Sequence, residues 1–370
     1  MKIGIPKEIK NHEYRVGLIP SSVSELTGQG HQLFVQKNAG EGIGFSDQDY
    51  QDAGATILTS AEEVFAQSEM IIKVKEPQLN ECSLLRPDQI LFTYLHLAPD
   101  LAQTQALIKS QAVCIAYETV TDNSGRLPLL TPMSEVAGRM SIQAGAFALQ
   151  KSNGGCGLLL GGVPGVEPAK VVILGGGIVG CNAAEMAVGL GANVTILDRN
   201  GDTLRQLDKQ FSGRVNTVYS THESLKRHVL EADLVIGAVL IPGAAAPKLV
   251  TKEMIKAMKK GSAVVDVAID QGGCFATSHA TTHDDPIYIV DDVVHYCVAN
   301  MPGGVARTAA QALNNATLPY VLKLANLGYK AALKADKHLL NGLNVCHGKV
   351  TIKEVAEVHN LPFTDPLDLL

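Results

Sequence analysis

Four polar side chains stand where short apolar runs stop: Lys75 after IIKV, His96 after LFTYL, Glu118 after CIAY and Asp270 after VVDVAI. In open α/β sheets, ligands bind beyond the carboxyl ends of the strands, so these positions can do chemistry. Lys75, His96 and Asp270 offer a cation, an imidazole that titrates near neutral pH and a carboxylate. Such a set suits a dehydrogenase acting on a small anionic substrate. Arg15, in the polar loop NHEYRVG, adds a candidate fork for a carboxylate, since a guanidinium binds one through two parallel bonds. Position alone leaves each residue open. Lys75 can be a snorkelling surface lysine, His96 a loop histidine, Asp270 a turn residue before Gly272-Gly273, and Arg15 half of a surface ion pair with Glu8 or Glu13.

The motif with the most context is Gly175-Gly176-Gly177-Ile178-Val179-Gly180. It follows the run KVVIL and opens a helical stretch, and Asp198 closes the next run, VTILD, 18 residues after Gly180. Gly175 permits the tight turn, Gly177 lets backbone approach a pyrophosphate, and Gly180 allows a helix to pack closely on its strand. Asp198 is placed to accept from a ribose hydroxyl. Together they indicate a dinucleotide site. A second glycine cluster, Gly40-Glu41-Gly42-Ile43-Gly44, lacks the run-up strand and the following acid, and reads as a turn.

The elements that must position these residues alternate. Strands are expected over Lys2–Ile5, Leu33–Val35, Met70–Lys75, Ile90–Leu95 and Val113–Glu118. Helices fall between them: Val23–Thr27 capped by Ser21 or Ser22, one opened by a Ser60/Glu63 capping box, and one capped by Asp100. A second alternation runs through Lys170–Leu174, Ile178–Leu190, Asn193–Leu197, Val215–Tyr219, Leu234–Ala238 and Ala263–Val267. A small-residue helix, Ser134 to Lys151, and a glycine-rich loop separate the two. After Gly303 the pattern is mostly helical. The expected fold is α/β: two Rossmann-like doubly wound domains with an active-site cleft between them. Residues 1–130 and 305–370 form a substrate domain, and 131–304 an inserted nucleotide-binding domain.

Composition narrows the class. The 370 residues are 46% hydrophobic and 18% charged, with a net charge of −6, which fits a globular chain and gives no basic surface for nucleic acid. Seven cysteines without a C-x-x-C pair suggest reduced thiols in the cytoplasm. No stretch reads as a membrane span. The acidic pairs Asp284-Asp285 and Asp291-Asp292 lack His or Cys at ligand spacing and read as turns. Lys323, Lys330, Lys334 and Lys337 read as a solvated helix face.

The segments MKIGIPKEIKNHEYRVGLIP, SEVAGRMSIQAGAFAL, GGVPGVEPAKVVILGGGIVG and NMPGGVARTA resemble the alanine dehydrogenase family, which shares them with the NAD-binding subunit of nicotinamide nucleotide transhydrogenase. The resemblance spans essentially the whole chain. It implies a hexamer of two-domain subunits that deaminates L-alanine with NAD. It implies Arg15 and Lys75 on the substrate and His96 and Asp270 in catalysis. For the cofactor it implies Ser134, Ile178, Val179, Asp198, Ser220, Val239, Leu240, Val267, Ala268, Ile269, Asp270, Val298, Ala299, Asn300 and Met301, beside the glycines above. Two departures from the family are visible: Thr203 stands where many members have a basic residue, with Arg199 and Arg205 nearby, and Lys323 and Leu327 stand where some members carry a Glu and a His as metal ligands. No metal is therefore expected there. The alternatives are a transhydrogenase subunit, which the lack of a membrane segment up to Leu370 argues against, and a saccharopine- or opine-type dehydrogenase.

Overall fold

The computed structural model describes residues 1–239 and 246–370, which divide into two compact units. Met1–Met133 with Val305–Leu370 form the first unit and Ser134–Gly304 the second.

The first unit begins with β1 (Lys2–Ile5), β2 (Gln32–Gln36), β3 (Thr56–Leu58), β4 (Met70–Ile72), β5 (Ile90–Thr93) and β6 (Val113–Ala116). Every residue of β4, β5 and β6 is buried, as Val/Ile-rich strands covered on both faces must be. These six pair in parallel in the order β6-β5-β4-β1-β2-β3. The order reverses between β1 and β4, so the loops after those two strands leave the sheet on either side of a crevice.

Local signals set the connections, with two corrections. The first helix spans Pro20–Gly28, and neither Ser21 nor Ser22 caps it. Pro20 occupies its first turn, where a missing N–H is no loss. Ser60 does cap the helix Ala61–Gln67, but the Glu63 carboxylate accepts from Thr59 rather than from Ser60, so the capping box is only half formed. Asp100 caps Leu101–Ser110 as expected, accepting from the Gln103 N–H at 2.9 Å.

The second unit holds β7 (Lys170–Leu174), β8 (Asn193–Asp198), β9 (Val215–Tyr219), β10 (Leu234–Gly237), β11 (Ala263–Asp266), β12 (Ile287–Val290) and β13 (Val293–Tyr296), in the order β12-β13-β11-β10-β7-β8-β9. All pairs are parallel except the β12–β13 hairpin. Asp291 and Asp292 make that hairpin's turn, both left-handed (φ 50° and 63°). The order again reverses, between β7 and β10. The small-residue helix spans Thr131–Ala148. Its Gly145 shows why small residues are needed: a Cβ there would stand 2.4 Å from a Leu234 methyl of β10. Val171, Ile173, Ile236 and Val265 anchor the core on that side of the sheet.

The chain then returns to the first unit through a long helix, Ala306–Ala335, interrupted at Gly328, and a short one, Lys337–Leu340. Lys323 on that helix is not a purely solvated face: its ammonium is 2.5 Å from Asp336. The expectation of a mostly helical tail also needs correction. β14 (Leu343–Cys346) and β15 (Lys349–Val350) add two antiparallel strands beside β6. His347 and Gly348, both with positive φ, close their turn, and each strand is too short for periodicity to reveal it. Among the described residues, no helix is long and apolar enough to cross a membrane.

Candidate active site

The carboxyl edge of the first sheet gathers three of the four sequence-predicted catalytic residues. Arg15 lies on the loop after β1, Lys75 after β4 and His96 after β5. Each is fastened by an acid: Arg15 by Glu13 of its own loop, the Lys75 and His96 backbones by Glu8 and Glu118 from elsewhere in the unit.

Arg15 is buried, not on the surface. Its Nε and Nη2 donate to the two Glu13 oxygens at 2.7 and 2.5 Å, and its own backbone N–H donates to Glu13 Oε1 at 3.0 Å. Nη1 donates to the Met133 thioether at 3.0 Å. Burial pulls the guanidinium pKa down. The Glu13 pair, with smaller contributions from Tyr94 and Glu8, more than offsets this and holds it above its ordinary value.

Lys75 is half-buried. Glu8 Oε1 accepts from the Val74 and Lys75 N–H groups at 2.6 and 3.3 Å, and the Lys75 carbonyl accepts from Thr93 Oγ1 at 3.0 Å. Glu8 in turn meets Lys73, a fully buried lysine whose ammonium lies 2.9 Å from Glu8 and 2.8 Å from Glu81. Burial pushes the Glu8 carboxyl up, against the pull of Lys73.

His96 is exposed, in a left-handed backbone conformation (φ 49°), with its ring stacked on Tyr94 at 5.8 Å. Tyr94 is buried and donates its hydroxyl to Leu129 O. Glu118, in the turn after β6, accepts from the Leu95 and His96 N–H groups at 3.1 and 2.6 Å.

Asp270 belongs to the second unit. It is exposed in the turn Val267–Gln271 that follows β11. The strand's last residue, Asp266, is buried and accepts from Cys274 N at 2.9 Å and Ser278 Oγ at 2.6 Å, tying down the chain just beyond that turn. Burial raises its pKa, against those hydrogen bonds.

The glycine motif sits at the carboxyl end of β7. Gly175 is left-handed (φ 101°). A Cβ on Gly180 would lie 1.9 Å from the Gly175 carbonyl oxygen, whereas one on Gly177 would meet nothing within 4 Å. The first and last glycines therefore serve the turn and the packing, and Gly177 faces open space. Asp198 ends β8 and accepts from Gly176 N and from Asn200 N, each at 2.7 Å. A cavity of about 330 Å³ opens beside them, lined by Gly175, Gly177, Leu197, Asp198, Ser220 and Val239 among others. An apolar wall with a carboxylate at a strand end and open backbone at a helix start suits the adenosine diphosphate half of a dinucleotide.

Arg199, which the sequence placed near this turn, lines the cavity, as do Pro247 and Leu249, which sequence reasoning did not place there. Ile178 is exposed and Val179 buried at the start of the helix Ile178–Gly189. Ser134 is half-buried in the helix Thr131–Ala148. Val267 is half-buried, while Ala268 and Ile269 are buried in the Asp270 turn. Val298 and Met301 are buried, Ala299 and Asn300 are half-buried, and Asn300 is left-handed (φ 62°). Leu240 lies outside the described residues. Tyr94, Glu13, Glu8 and Lys73 also escaped as site residues, although Tyr94 stands only two positions before His96.

Comparison with known proteins places this geometry. Residues 4–137 match the N-terminal domain of the Alanine dehydrogenase/PNT family and residues 141–353 its C-terminal domain. The chain is 57% identical to an alanine dehydrogenase of Halomonas elongata across 100% of both chains. It is 59% identical to one of Staphylococcus haemolyticus, across 100% of this chain and 99% of that one. A solved L-alanine dehydrogenase superposes with a TM-score of 0.95 at 54% identity, covering 97% of this chain and 99% of that one. A transhydrogenase from Sinorhizobium meliloti shares the fold, with a TM-score of 0.83 at 24% identity over 95% of this chain and 100% of that one. By identity along its whole length, as well as by fold, the chain belongs to the alanine dehydrogenase/PNT family.

Proposed function

We propose that this protein catalyses the reversible, NAD-dependent oxidative deamination of L-alanine to pyruvate and ammonium. The observation that carries the reading is the placing of Arg15, Lys75 and His96 on three loops at one sheet edge, two of them flanking its switch point. Identity of 57% to an alanine dehydrogenase, against 24% to a transhydrogenase, favours an amino-acid enzyme over a coupling subunit.

When bound, NAD supplies the two-electron acceptor for oxidation of the substrate Cα. Gly175, Gly177, Gly180 and Asp198 hold it, with Ser220 and Val239 in the cavity wall. Arg15 and Lys75 bind the substrate carboxylate through charge-assisted hydrogen bonds, and Lys75 polarises the carbonyl of pyruvate in the reverse direction. Oxidised alanine is an imine. Water adds to its carbon, a proton moves to nitrogen, and ammonia leaves. His96 suits these transfers, because an imidazole gives and takes protons near neutral pH. Asp270 accepts a hydrogen bond from the amine or the ribose and shares in the proton transfers.

The protein works in the cytoplasm as a homohexamer, which the family resemblance and seven unpaired cysteines support. The test is alanine-dependent formation of NADH by purified protein. Failure of alanine and pyruvate to drive turnover in either direction would end this reading. NADH formation only when a second amino acid is present would favour an opine-type reaction.

A further inference from the structure

Glu118 is the residue on which the geometry at His96 converges. It lies in the turn Tyr117–Thr119, 22 positions along the chain from His96, and its side chain is only 15% exposed. Its carboxylate accepts from the backbone N–H groups of both Leu95 and His96, the latter at 2.6 Å. These amides leave the end of β5 as the chain turns through the left-handed residue His96, so no strand partner can satisfy them. The same Oε1 lies 3.9 Å from His96 Nδ1. That is too long for a hydrogen bond, and it leaves a carboxylate facing that edge of the ring. Tyr94 stacks on the ring face, with 7° between the planes. The imidazole is thus set by an aromatic face, a charged edge and a backbone clamp, and one carboxylate supplies two of the three.

We propose that Glu118 is the positioning residue for His96. It holds the backbone that aims the ring, and it places a fixed negative charge at Nδ1, so that Nε2 is the nitrogen that exchanges protons with substrate. This rests on the proposed role of His96 in proton transfer. Glu118 itself touches no substrate atom in this scheme. Proton transfer passes between His96 and the reacting amine, imine or water, and Glu118 exchanges no proton with them.

Two variants separate charge from scaffold. Glu118→Gln keeps an oxygen to accept from the two amides and removes the charge, so it should fold as the wild type does. Its kcat should fall by about ten-fold. The loss should fall on kcat, with KM for alanine within about two-fold of the wild type, because Glu118 acts on the ring of His96 and not on the substrate carboxylate. Glu118→Ala removes both functions and should lose more. NAD binding, followed by fluorescence titration of NADH, should be unchanged in both. A merely structural role would leave kcat and KM of the folded Glu118→Gln protein at wild-type values, and that result would overturn the proposal whether or not Glu118→Ala folds. His96→Ala is the control. If it retains wild-type kcat, the parent reading of His96 has failed. If it is inactive while Glu118→Gln keeps the wild-type kcat, the positioning role alone is refuted.

Discussion

Glu13 and Arg15 form a buried two-point ion pair, with Nε and Nη2 of the arginine 2.7 and 2.5 Å from the two carboxylate oxygens. This orients the guanidinium before any ligand arrives. One edge of the fork is occupied by Glu13 and Nη1 donates to the Met133 thioether, so a carboxylate bound at Arg15 would approach from the Nη1 side. A thioether is a weak acceptor, and a carboxylate replaces it at a gain.

Loss of either anion-binding cation should weaken alanine binding. Arg15→Ala and Lys75→Ala each remove a charge-assisted contact, worth about 1.5–3 kcal/mol, so KM for alanine should rise about ten-fold or more. NAD affinity should hardly change. Steady-state kinetics with varied alanine check this, and unchanged KM and kcat in both variants would place the anion site elsewhere.

Removing Glu13 should act on folding as well as on catalysis. Glu13→Ala leaves a buried guanidinium without its anion, and breaking a buried pair in this way costs about 3–5 kcal/mol. The double variant Glu13→Ala/Arg15→Met should regain much of the lost thermal stability while keeping the weakened alanine binding of an enzyme without Arg15. Thermal melts of the two proteins make the comparison. A double variant no more stable than the single one would mean the pair is not the source of the loss.

The proton-transfer residues should affect kcat far more than the fold. His96→Ala and Asp270→Ala should each lose about 10²–10⁴-fold in kcat, the usual scale of general acid–base catalysis. Both residues are exposed, so melting temperatures should stay close to the wild type. An Asp270→Ala enzyme with normal kcat would confine that residue to binding.

Gly177 and Gly180 should respond differently to the same substitution: both variants lose NAD affinity, and Gly180→Ala alone also loses stability. Gly180→Ala drives a Cβ to 1.9 Å from the Gly175 carbonyl, a backbone atom that cannot move alone, so both folding and NAD binding should suffer. Gly177→Ala has open space, so the fold should persist while the methyl group intrudes on bound pyrophosphate and raises the Kd for NAD. Calorimetric titration with NAD, alongside melting curves, distinguishes them. Equal NAD affinity in Gly177→Ala and wild type would move the pyrophosphate away from this turn.

Cofactor choice should follow Asp198 rather than Arg199. The carboxylate ends β8 at the cavity and would repel an added 2′-phosphate. Arg199 lines the same cavity and pulls the other way. NAD should be strongly preferred, and Asp198→Ala should narrow the gap by weakening NAD more than NADP. Rates with both cofactors on both proteins decide, and equal use by the wild type would give the pocket to Arg199.

The sequence alone determined the alternation of strands and helices, the glycine turn with its acid 18 residues on, and the strand-end positions of Lys75, His96 and Asp270. These are local properties, carried by apolar periodicity and by glycine chemistry within a few turns of chain. Tertiary structure decided what holds them. Glu8 reaches the Lys75 backbone across 67 residues and Glu118 reaches that of His96 across 22. Whether an acid meets a backbone amide, a buried cation or water depends on which strands are neighbours, and periodicity does not encode strand order. The same holds for the edge strands β14 and β15, too short to show a pattern until β6 offers them a partner. It holds for Arg15, whose loop composition reads as surface although folding buries it against Glu13. An ion pair is buried only where the surrounding core excludes water, and that exclusion is a property of the assembled layers.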